Sequence, residues 1–108
     1  MDALARLFWW LFARSTGASS RFQVLQAVRE EPRNAMQLSQ ALNLDYTTIR
    51  HHLEILEKNQ LVLTEGGRYG KLYFVSEMMD TNWSKLEEVR SNQAIVPPSK
   101  SVFIEYRR

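Results

Sequence analysis

Thr47, Arg50, His51, Glu54 and Lys58 recur along one side of a predicted helix over 46–59. Ile49, Leu53 and Leu56 fall on the opposite side at a step of about 100° per residue. Thr48, His52 and Ile55 form a flank between the two, and Tyr46 opens the helix. The polar side carries few long charges and several short donors and acceptors. That set suits the base edges of a DNA major groove better than it suits plain solubility. The competing reading is a solvated face such as any surface helix carries.

A side that reads bases must be aimed, and the preceding residues supply the means. Asn34 is a good N-cap, and Gln37 stands at capping-box spacing. Leu38, Ala41 and Leu42 then repeat at helical spacing. Asn43 falls where the chain must reverse, and asparagine tolerates the left-handed conformation that closes a helix. Leu44 plugs the turn, and Asp45 caps the next helix. Two short helices joined in this way point the first residues of the second into a groove. Two β-prone runs follow, 61–64 and 72–76, around the connector 65–71 with Gly66, Gly67 and Gly70. Arg68, Tyr69 and Lys71 in that connector are placed to reach phosphates or a narrow minor groove; an ordinary surface hairpin is the alternative. A helix-turn-helix followed directly by a basic hairpin predicts a winged helix. The expected fold is mainly α with a small β-hairpin, a winged helix-turn-helix with extra N- and C-terminal helices. The expected DNA-binding set is Tyr46, Thr47, Thr48, Arg50, His51, Glu54, Lys58, Arg68, Tyr69 and Lys71.

Residues 20–76 resemble the winged helix-turn-helix transcription regulators of the ArsR type, archaeal members included. The resemblance is carried by Leu38, Leu42, Leu44, Asp45, Thr48, Ile49, His52, Leu53, Leu56 and the closing Asn59, Gln60, Leu61 and Val62. It implies this fold and binding to double-stranded DNA. Two positions depart from the family pattern. Asn43 stands where a small residue or glycine is common, and Gln60 where glycine is frequent. The family often senses metals through cysteines, and this chain has none.

The chain has 108 residues and a formal net charge of +2, enough for one compact domain with a modest core. Within 34–62, Arg50 and Lys58 face Asp45, Glu54 and Glu57, so the motif is slightly acidic. That excludes a polybasic, non-specific binder. It implies few phosphate contacts per protomer and binding as a homodimer to gain affinity. The lack of cysteine removes disulfides, thiolate zinc sites and thiol redox sensing. There is no dinucleotide fingerprint, phosphate-binding GK[ST] loop or nucleophile elbow. His51 and His52 are adjacent, so on a helix they diverge by about 100° and cannot grip one metal as an i, i+4 pair can. His51 is expected to face DNA and His52 to pack under or beside the wing. Glu87 and Glu88 read as a solvated face rather than an acid/base couple. No cofactor, no metal and no enzymatic activity are expected.

The N-terminal segment 1–14 is unusually apolar. Leu4, Leu7, Phe8 and Leu11 share one helical side, and Trp9, Trp10 and Phe12 extend it most of the way round. It is too short to span a bilayer and a poor fit to a signal peptide. A small monomer is expected to leave it uncovered, so it is read as a dimerisation helix. Core packing and attachment to a membrane surface, with Arg6 and Arg14 flanking the aromatics, are the alternatives. Residues 15–20 read as a linker, with Ser20 capping a helix over 21–30 that Pro32 ends. The winged helix occupies 20–76. A helix within 77–93, capped by Asp80 or Thr81, carries Met79, Trp83, Leu86 and Val89 or Arg90. Trp83 and Leu86 are candidates for the same dimer interface. The tail 94–108 begins irregularly at Pro97 and Pro98, and its alternating Val102, Ile104 and Tyr106 suggest a strand. The expected function is a sequence-specific, double-stranded DNA-binding transcription regulator acting as a cytoplasmic homodimer. A winged helix used as a protein-interaction module and a membrane-tethered regulator are the rivals.

Overall fold

A computed structural model describes residues 2–67 and 70–91. Arg68, Tyr69 and the tail containing Val102, Ile104 and Tyr106 lie outside the described residues. The chain divides into two compact units, one of residues 20–82 and one joining the N-terminal stretch to the residues from Trp83 onward.

In the 20–82 unit, each turn of chain has a local cause. Helix α2, Ala18–Glu30, buries Val24, Leu25, Ala27 and Val28. It begins at Ala18, earlier than expected, because the reversal is completed at Gly17, whose φ is 82°. After Pro32, Arg33 exchanges two backbone hydrogen bonds with Tyr73, at 3.2 and 2.9 Å. Helix α3, Ala35–Leu42, has both arms of its capping box. The Gln37 amide donates to Asn34 Oδ1 and the Asn34 amide to Gln37 Oε1, each at 2.8 Å. Asn43 closes α3 in the left-handed region at φ 55° and ψ 45°. Helix α4, Tyr46–Lys58, starts on Asp45, whose Oδ2 accepts from the amides of Thr47 and Thr48 at 3.0 and 3.3 Å. Leu38 on α3 and Ile49, Leu53 and Leu56 on α4 are fully buried. Each contributes about 1.5–3 kcal/mol through its apolar area.

The end of α4 explains the Gln60 position. The Gln60 amide donates to Glu57 O and the Leu61 amide to Leu56 O, both at 2.9 Å. This is a Schellman ending, which requires a left-handed residue just past the helix. Gln60 adopts it at φ 62°, a conformation that costs a side chain more than it costs glycine. Gln60→Gly is therefore expected to stabilise the protein by about 0.5–1 kcal/mol. A urea midpoint that falls rather than rises would contradict this.

Strands β1, Val62–Glu65, and β2, Leu72–Val75, pair antiparallel with Val62 opposite Val75 and Glu65 opposite Leu72. Val62 and Tyr73 turn inward, while Leu63 and Leu72 face solvent. The chain then forms two helices where one was expected, α5, Glu77–Thr81, and α6, Trp83–Ser91. The cap is Ser76, whose Oγ accepts from the Met79 amide at 3.1 Å. Asp80 instead pairs with Arg29 at 3.0 Å. Such an exposed pair contributes at most about 1 kcal/mol.

The other unit brings α1, Ala3–Trp9, into contact with α6. Asp2 accepts from the Ala5 amide at 2.7 Å and pairs with Lys85 at 2.6 Å. Both interactions hold its carboxyl below the usual range, the Lys85 hydrogen bond most of all. Helix α1 runs into a π-helical turn, Trp10–Arg14, in which the Ser15 amide donates to Trp10 O at 3.0 Å. Arg90 Nε donates to Phe12 O at 3.1 Å.

The expectation that one chain leaves the N-terminal helix uncovered is corrected. Phe8, Leu11, Phe12, Trp83 and Leu86 are buried within the single chain. The Phe8 and Phe12 rings lie 6.1 Å apart at a 59° tilt. Leu4, Leu7 and Trp9 are half-buried. Trp10 is the large side chain left outside, at 55 % exposure.

Candidate nucleic-acid interface

The α3–turn–α4 segment and the hairpin are the parts of the 20–82 unit whose side chains could meet a polyanion. On α4, Tyr46, Thr47, Arg50, His51, Glu54 and Lys58 are all exposed, and Thr48 is half-buried. Lys71, at the start of the returning strand, is exposed. Gly66 at φ 91° and Gly70 at φ 135° turn the chain between the strands. Those values are hard for any residue with a Cβ.

The exposed side of α4 divides into two edges. With Arg50 as the reference, Thr47, Glu54, Lys58 and His51 fall about 40–100° to one side and Tyr46 about 40° to the other. Arg50 is exposed on this side and is tied to Tyr46. Its Nη1 donates to the Tyr46 hydroxyl at 3.3 Å, and its Cζ lies 5.9 Å from the Tyr46 ring centroid. The i, i+4 spacing causes this, because helical side chains lean toward the preceding turn. The Tyr46 hydroxyl raises the guanidinium pKa above its usual value, so the group is firmly charged.

Between this edge of α4, the start of α3 and the hairpin lies a recess of about 400 Å³. Arg50, Tyr46, Lys71, Tyr73, Asn34 and Met36 are among its walls. Tyr73 is held there by the Arg33 backbone pairing. Sequence reasoning missed Asn34, Met36 and Tyr73 as neighbours of Arg50. The isolated Arg33–Tyr73 bridge that gathers them has no signature in composition or periodicity.

His51 is exposed as expected, and His52 is buried with its ring bonded to α2. It is 3 % exposed, and its Nε2 shares a 2.9 Å hydrogen bond with Ser20 Oγ on α2. Its Nδ1 is buried without a hydrogen-bond partner. Burial, followed by the positive charges of Arg21 and His51, pushes its pKa from 6.5 down to about 4. His52 is thus a neutral strut between α4 and α2. Ser20 had a local reading as a helix cap, which hid this longer-range role. Among the described residues, no three His, Asp or Glu side chains are placed to share a metal. No helix there is long and apolar enough to cross a membrane.

Capped tight turn, buried α3–α4 seam and two-stranded hairpin together define a winged helix-turn-helix. Residues 18–63 match the family described as bacterial regulatory protein, arsR family. That stretch is therefore similar to the helix-turn-helix of that family. A search of curated proteins found no match. Among solved structures, the fold is similar to the homodimeric winged helix-turn-helix DNA-binding domain of Mb0332 from Mycobacterium bovis, a possible ArsR-family regulator. The TM-score is 0.59 at 19 % identity, over 71 % of this chain and 73 % of that one. It is also similar to the transcriptional regulator BldR from Sulfolobus solfataricus, with TM-score 0.63 at 18 % identity over 92 % and 78 %. Reduced AbfR bound to DNA gives TM-score 0.63 at 19 % identity over 91 % and 73 %. At these identities the likeness is one of fold.

Proposed function

We propose that this protein is a transcription regulator that binds double-stranded DNA sequence-specifically as a homodimer. The observation that carries the reading is the rigidly capped α4, which holds Thr47 and His51 outward at its first turns in the same unit as a hairpin bearing Lys71. The Asp45 cap and the Schellman ending fix the helix at both ends, so an exposed side chain there is aimed rather than merely solvated. Thr47 and His51 read base edges, with Glu54 and Lys58 along the same edge and Thr48 at its border. Arg68, Tyr69 and Lys71 meet the backbone or minor groove. The ArsR-type match and the winged-helix fold support DNA as the partner. No catalytic or cofactor role is part of this reading, and a DNA-binding regulator works in the cytoplasm with the chromosome.

The dimer is supported by the homodimeric state of the Mb0332 domain and by the exposed apolar residue on the N-terminal helix. The proposed contact is Trp10 with the half-exposed Leu4, Leu7 and Trp9. Phe8, Leu11, Phe12, Trp83 and Leu86, buried within the chain, lie outside that contact.

Thr47→Ala and His51→Ala test the base-reading assignment. Each is expected to lower affinity for the preferred site by about 1–3 kcal/mol and to relax the preference at one base pair. Selection from random duplexes, repeated with each variant, measures this. Unchanged affinity and site preference in both variants would sink it.

A further inference from the structure

Resting on the DNA-binding reading, we infer that the recess between α4 and the hairpin seats one backbone phosphate, clasped by Arg50 from the helix and Lys71 from the wing. Three features point there. Two cations on different elements, Arg50 and Lys71, both line one concavity. Arg50 is drawn toward it by its 3.3 Å bond to Tyr46, away from the edge that carries Thr47 and His51. Ala35 and Met36, the first residues of α3, also line it, and amides in a first helical turn lack intrahelical partners and favour an anion.

The geometry also fits the path of a DNA strand. On the proposed reading α4 enters the major groove and the wing reaches the backbone or the adjacent minor groove. The strand that separates those grooves must cross between the two elements. A phosphodiester is the part of that strand which meets two cations with charge-assisted hydrogen bonds. A base edge has no net charge to attract the pair. Arg50 is thereby a phosphate clasp that fixes register, and base discrimination falls to Thr47 and His51.

Neutral methylphosphonate linkages, placed one at a time along the preferred duplex, test this. The wild-type protein is expected to lose about tenfold in affinity at one linkage per half-site. The Arg50→Gln and Lys71→Gln variants should each bind all sequences more weakly and lose clearly less than the wild type on neutralisation of that same linkage. Both replaced side chains are exposed, and an unchanged melting temperature confirms that the variants are folded. A different result overturns the inference: Arg50→Gln changes the preferred base at one position, or the two variants lose sensitivity at different linkages. Absence of binding to any duplex by the wild type would instead remove the DNA reading on which the inference stands.

Discussion

Phe8→Ala is expected to destabilise the protein by about 3–5 kcal/mol, whereas Trp10→Asp should change stability by no more than about 0.5 kcal/mol. Two aromatic residues two positions apart in an apolar run differ this much because of where each points. Phe8 is fully buried in the unit that joins α1 to α6, with the Phe12 ring at 6.1 Å. Removing it deletes a large apolar area and leaves a cavity between helices that can close only in part. Trp10 stands 55 % exposed at the start of the π-helical turn, so a charge there meets water. Urea unfolding separates the two. The same pair separates folding from assembly. A charge at Phe8 or Leu11 would disrupt the unit and say nothing about an interface. A charge at Trp10 would weaken a dimer while leaving the fold intact, which sedimentation equilibrium reads directly. Equal stability losses in the two variants would contradict the burial pattern. A Trp10→Asp protein that remains fully dimeric would move the interface off this helix.

The second large effect is a loss of stability in mild acid that runs through His52. Its pKa is about 4 in the folded chain and 6.5 as the ordinary value. A depressed pKa means that folding favours the neutral ring. The contribution is complete above about pH 6.5 and is lost as pH falls toward 4. Across that window it amounts to about 2–3 kcal/mol. The Asp2 carboxyl, also depressed, acts only below the ordinary carboxylate range and so does not overlap. His52→Gln removes the titration while keeping a group that can bond Ser20. Its unfolding free energy is expected to be lower than wild type at pH 7.5 but nearly flat between pH 6.5 and 4.5. A variant that retains the wild-type slope there would assign the acid sensitivity to another group.

The helix-turn-helix was legible in the sequence because its determinants are local. Asn34 with Gln37, Asn43, and Asp45 each act within a turn of chain, and each does in the structure what its spacing implies. The hairpin was legible for the same reason, from its glycines and flanking β-prone runs. What escaped depends on contacts between distant residues. Nothing near His52 in sequence announces Ser20, thirty-two positions earlier. The π-helical turn at Trp10–Arg14 leaves no mark in residue type, so the sides of the N-terminal helix could not be assigned from a regular 100° step. The recess required the Arg33–Tyr73 pairing to gather its walls. The N-terminal helix finds a partner within the chain in α6, a contact between distant segments that its apolar run does not announce. At Gln60 the sequence flagged a departure from glycine, and the left-handed φ supplies its physical reason.

Salt-titrated binding of the intact protein to duplexes selected from a random pool decides whether this chain is a dimeric DNA-binding regulator. Enrichment of a two-fold symmetric site with half-sites one helical turn apart, about 34–36 Å, is expected. The logarithm of affinity should fall linearly with the logarithm of salt, at a slope of about −0.9 for each phosphate neutralised. Failure to enrich any sequence, or binding indifferent to salt, would contradict the DNA-binding reading and favour a winged helix whose partner is a protein.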